Sequence, residues 1–147
     1  MKEGLELNKV VLLGRTLDEY VRYFGLNPEE LPGKNILDVA SGVSSFCAEA
    51  NQRGIETTAF DPIYELSPEM IRQRCEPDLD FVVEDIGKVK AYRWNFYKSP
   101  EGMRFFRERA YKMFLADYQK HHKTRYVQGY LPELPFADGL FDLSLGS

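Results

Sequence analysis

The chain has 147 residues, 44% hydrophobic and 29% charged, with a formal net charge of −4. That is the size and profile of a single globular domain able to bury a core. It contains no run of the roughly 18 apolar residues that span a membrane, no signal-peptide pattern at the N-terminus, and two cysteines, Cys47 and Cys75, whose spacing fits neither a disulfide framework nor a zinc site.

In chain order, "NKVVLL" (8–13) is apolar but short. "GRTLDEYVRYFGL" (14–26) is a helix with clear ends. Thr16 and Glu19 form a capping box, Leu17, Tyr20, Val21 and Phe24 recur at helical spacing, and Gly25 stops it. "NPEEL" repeats the pattern on a smaller scale, with Asn27 as cap and Pro28 at the first helical position. "NILDVA" (35–40) is a buried strand, and the helix after Gly42 runs to about Gly54. "IETTAFD" (55–61) is a second strand rich in β-favouring threonine. Strand, helix and strand together make a compact βαβ unit.

A capped helix follows from Ser67–Pro68, and "DFVVEDI" (80–86) is a short strand or an irregular stretch. A long helix runs from Ser99–Pro100 to about His122, with Met103, Phe106, Ala110, Phe114 and Asp117 near one face. "TRYVQG" and "LFDLSLGS" read as strands around the proline-rich "LPELPFADG". His121 and His122 are adjacent and point different ways, with no metal-ligand constellation beside them.

Charge is unevenly placed. Residues 86–126 hold eleven of the nineteen basic residues and three of the twenty-three acids, so this segment carries +8 on a body of −12. Nine aromatics are interleaved in residues 86–124, among them Tyr92, Trp94, Phe96, Tyr97, Phe105 and Phe106. Such mixtures suit nucleic-acid backbones and bases. An amphipathic helix with a solvated basic face explains most of the same residues.

The turn after the first strand carries the functional signal. At a strand's C-terminal edge, free N–H groups and a helix dipole face outward, and the small residues Ala40, Ser41, Gly42 and Ser44 let a ligand approach. Asp61 ends the second strand 19 residues beyond Gly42, where an acid accepts from both hydroxyls of a ribose. A structural alternative makes Asp38 a turn cap and Asp61 a surface acid. The three-glycine nicotinamide fingerprint is absent, and Asp38 beside the turn repels a pyrophosphate, so a cationic or neutral group is favoured.

"LDVASGVSSF" resembles the first motif of class I S-adenosylmethionine-dependent methyltransferases, with Ala40 at the first glycine position. "AFDP" resembles their second motif, and "YVQGYLPELPFADGLFDLSL" their third and fourth segments. "GRTLDEYVRYFGL" resembles the leader helix of an uncharacterised bacterial branch. The matches cover about residues 14–65 and 125–146.

The resemblance implies an α/β fold, a single domain (1–147) with a Rossmann-like parallel sheet flanked by helices and an inserted helical element at about 86–124. The sheet is expected to be incomplete, of order 3-2-1-4, with the chain ending at the fourth strand. It implies S-adenosylmethionine as cofactor. Asp38 would face its ammonium group, with Ala40, Ser41, Gly42 and Ser44 along its methionine part. Asp61, followed by Pro62, would hold the ribose. Gly129, Tyr130 and Leu131 would flank the adenine, Tyr130 replacing the usual aspartate. Arg15 and Tyr20 would reach the cofactor carboxylate from the leader helix.

The expected function is methyl transfer to an unidentified small molecule, RNA or protein, with no catalytic base assigned and no metal. The alternatives are a non-catalytic cofactor-binding module and a nicotinamide-dependent oxidoreductase. A cytoplasmic location and a homodimer through residues 141–146 complete these expectations.

Overall fold

A computed structural model describes residues 14–74, 100–131 and 133–146. The "NKVVLL" and "DFVVEDI" segments, Cys75 and the first part of the expected insert (86–99) lie outside the described residues.

The helix α1 (Leu17–Phe24) begins and ends as its sequence dictates. Thr16 Oγ1 accepts from Glu19 N, and the Glu19 carboxylate accepts from Thr16 N at 2.8 Å. Gly25 closes the helix in the left-handed conformation that glycine adopts without strain. A 3-10 turn at Pro28–Glu30 is capped by Asn27. Strand β1 (Asn35–Val39), helix α2 (Phe46–Gln52) and strand β2 (Glu56–Phe60) form the βαβ unit. A 3-10 turn at Pro62–Glu65 leads to α3, helical over residues 68–74 with Ser67 Oγ accepting from Met70 N. Helix α4 (Pro100–Arg125), kinked at His121, feeds the short strand β3 (Tyr126–Val127), and β4 is Leu143–Gly146.

The four strands are parallel in the order β3-β2-β1-β4. This is the α/β, Rossmann-like arrangement expected from the sequence. Parallel pairing needs crossovers; α2 lies in the one between β1 and β2, and α4 in the one that returns from β2 to β3.

Register decides which residues meet the helices. Ile36 aligns with Thr57 and Leu143, and Asp38 with Ala59 and Leu145. On that face, Ile36 and Leu145 pack with Leu17, Tyr20, Phe46 and Ala50 of α1 and α2. Ala59 and Tyr126 pack with Tyr111, Phe114, Leu115 and Tyr118 of α4. The rings of Phe114 and Tyr118 stack at 5.0 Å and Tyr126 meets both edge-on. Most aromatics of the described part of the basic segment are therefore core, as helical spacing suggests. On the opposite face Phe60 meets Phe136 and lies against Gly129, where an added Cβ would come within 2.5 Å of the ring.

Candidate functional site

The C-terminal edge of β1 and β2 gathers the residues singled out in the sequence. The turn from β1 enters left-handed backbone at Ala40 (φ 59°) and again at Gly42 (φ 54°). Ala40 thus takes a glycine conformation without being glycine. Gly14 passes so close behind this turn that an added Cβ would lie 2.2 Å from Ser44 N. Arg15 N donates to Ser44 Oγ at 2.8 Å, and Ser45 N donates to Arg15 O at 3.0 Å.

The expected row of free N–H groups is not what the turn presents. Ala40 N and Ser41 N donate to Phe60 O, Ser44 N to Ser41 O, and Gly42 N to Asp61 Oδ2 at 2.9 Å. The neighbouring strand, the leader segment and Asp61 satisfy these donors, because a buried turn cannot leave them unpaired. What the edge offers a ligand is carboxylate and hydroxyl chemistry.

Asp61 clasps two elements. Its Oδ2 takes Gly42 N–H and its Oδ1 takes Ile63 N–H at 3.0 Å, capping the following 3-10 turn. Burial raises its carboxyl above the usual range, and the two backbone hydrogen bonds oppose that shift. Pro62 sits at the first position of that turn.

Asp38 is fully buried. Tyr20 OH donates to its Oδ2 at 2.8 Å, while Oδ1 has no hydrogen-bond partner among the described residues. Burial pushes the carboxyl up to about 8, opposed by the Tyr20 bond and reinforced by the charge of Asp61. Near neutrality Asp38 therefore holds its proton, and an arriving cation or strong donor would favour its release.

Two expected residues sit differently from their expected roles. Tyr20 is completely buried, stacked at 4.5 Å on Phe46, and its hydroxyl is committed to Asp38. Arg15 holds its guanidinium over the Tyr23 ring, 5.1 Å from the centroid. Tyr130 and Leu131 follow β3 at the same edge and are exposed, by 36% and 60%.

Two participants went unnoticed in the sequence. Tyr64 OH donates to Gly42 O at 2.7 Å and so accepts from Ser41 Oγ at 2.5 Å, since a phenol has one proton to give. Arg107 of α4 is buried and pairs with Glu19 of α1. The only sign of Tyr64 was its place three residues after Asp61. Arg107 was one of many basic residues.

Elsewhere, a cleft of about 510 Å³ is lined by Asn35, Thr58, His121, Arg125, Phe136 and Phe141, among others. It opens at the N-terminal ends of β1 and β2, away from Asp38 and Asp61. Among the described residues no group of three or more His, Cys, Asp or Glu is placed to hold a metal ion. No helix among them is long and apolar enough to cross a membrane.

No family model matches the chain, and no solved structure matches it. It is 47% identical over 143 residues to an uncharacterized protein of the archaeon Methanocaldococcus jannaschii. The alignment covers 96% of this chain and 64% of that relative, so the chain spans a little under two thirds of its length.

Proposed function

We propose that the chain binds S-adenosylmethionine at the C-terminal edge of β1 and β2 and serves methyl transfer to an acceptor, which is a small molecule, an RNA or a protein. The observation that carries this reading is the turn. It holds left-handed backbone at Ala40 and Gly42, the positions where the resembled motif has glycines, with Asp38 beneath it and Asp61 across it.

The residues present fit the cofactor. Asp38 Oδ1 is buried without a partner among the described residues and, on losing its proton to an arriving cation, would accept from an ammonium group. Each Asp61 oxygen accepts one N–H and retains a lone pair for a ribose hydroxyl. Ser41, Ser44, Pro62, Gly129, Tyr130 and Leu131 border the same edge. The bound cofactor supplies an electrophilic methyl group. The chain's own contribution is alignment of the acceptor, a proximity effect. A cytoplasmic setting belongs to this reading and rests on the sparse cysteine usage.

Calorimetry with S-adenosylhomocysteine tests it directly. The parent should bind, and Asp61→Ala, checked for an intact melt, should bind at least about tenfold more weakly. Equal affinity in that variant removes the ribose assignment. Binding without turnover in a methyl-transfer assay reduces the protein to a cofactor-binding module, and tight NADH binding in its place returns it to the oxidoreductases. A homodimer through residues 141–146 is part of the same proposal, because β4 pairs with β1 alone among the described residues. Light scattering should return twice the chain mass, and a monomer mass disposes of it.

A further inference from the structure

Helix α4 divides cleanly into two faces. Arg107, Ala110, Tyr111, Phe114, Leu115 and Tyr118 are buried. Arg109, Lys112 and Lys120 are exposed on the opposite side, and at 3.6 residues per turn they fall within an arc of about 80°; Lys123, just past the kink at His121, is exposed as well. Phe105, 58% exposed, lies on the same line. From Arg109 to Lys120 the stripe runs about 16 Å at 1.5 Å per residue.

No acid between Phe105 and Lys123 lies on that arc. The two acids of this stretch are turned to its flanks and already engaged: Glu108 with Arg104, and Asp117 with Arg125 and the Tyr126 hydroxyl. Arg109 and Lys112 are like-charged neighbours one turn apart, an arrangement that weakens a helix. A helix selected only for solubility gains by alternating signs, as Glu69 and Arg72 do at the start of α3. The stripe accepts self-repulsion on a chain whose net charge is negative.

We propose that this face of α4 docks a single-stranded nucleic acid, the four cations following its phosphates and Phe105 offering a ring for a base to stack on. Cations tracking a backbone beside an exposed aromatic are the chemistry of sequence-tolerant single-strand binding. The proposal does not depend on the methyl-transfer reading, since it uses neither Asp38 nor Asp61.

The test is fluorescence anisotropy of the full chain with a labelled oligouridylate of about 15 nucleotides, a length within reach of such surfaces. The parent should bind, with a log–log salt slope of about −3 for four neutralised phosphates. Lys120→Gln with Lys123→Gln should weaken binding at least about fivefold and make the slope shallower by about 1.4. Lys34→Gln with Arg53→Gln removes the same charge elsewhere and should change affinity less than about twofold. Phe105→Ala should cost roughly tenfold with the slope unchanged. Superimposable circular dichroism and melting curves establish that each variant is folded. Absence of parent binding, equal loss in the two double variants, equal competition by inorganic polyphosphate, or tighter binding of duplex RNA would each overturn the proposal.

Discussion

Ala40 occupies left-handed backbone that costs an L side chain about 1–2 kcal/mol relative to the right-handed helical region. Glycine removes that cost but adds about 0.5–1 kcal/mol of unfolded-chain entropy. Ala40→Gly should therefore stabilise the fold by up to about 1 kcal/mol, read as a higher urea midpoint at unchanged m-value. A lower midpoint would mean that the Ala40 methyl makes contacts worth more than the strain. Asp38 poses the opposite problem, a titratable group with its charge suppressed. Its native carboxyl keeps a proton to about pH 8, against 3.8 for the free group. The folded state therefore binds more protons than the unfolded state between these values. Stability falls as pH rises through this window and levels off above it. Asp38→Asn still accepts from Tyr20 but does not titrate. Its melting temperature should gain on the parent's by roughly 10 °C between about pH 5 and pH 8.5. A gap independent of pH would show that the carboxyl is not protonated in the native state.

At the scale of elements, α1 decides whether the edge is built. Its first turn is tied to α2 by Leu17 N donating to Glu49 Oε2 at 2.9 Å. It is tied to α4 by the buried Glu19–Arg107 pair, and Tyr20 then reaches Asp38. Breaking one partner of a buried ion pair strands the other charge and costs about 3–5 kcal/mol. Arg107→Met should accordingly destabilise by about 3 kcal/mol in denaturant unfolding, and adding Glu19→Gln should recover most of it. Failure of the second substitution to recover stability would locate the loss in packing around the arginine stem. The capping box itself was legible, because Thr16 and Glu19 lie three residues apart and act locally. The second use of Glu19, toward a residue 88 positions away, was not.

For the molecule as a whole, local signals settled the elements. The apolar run of β1, the cap of α1, the glycine stops and the helical spacing of Ala110, Phe114 and their neighbours need only nearest neighbours along the chain. The sheet order was implied by the resemblance of the strand-end motifs rather than by local spacing, and the parallel β3-β2-β1-β4 sheet has that order. The position of Asp38 and Asp61 at one edge was legible, since both end strands of a single βαβ unit. Their state was not. That the turn's N–H groups are consumed by Phe60 and Asp61, that Tyr20 seals Asp38, and that Tyr64 locks Ser41 to Gly42 depend on contacts between elements. So does the division of the basic segment into buried aromatics and an exposed cationic stripe. The sequence by itself determined which residues meet strand or helix geometry and which strand ends carry acids. Only the tertiary structure decided which polar groups remain open to a ligand, because burial and long-range partners set desolvation and hydrogen bonding, and neither is written in local spacing.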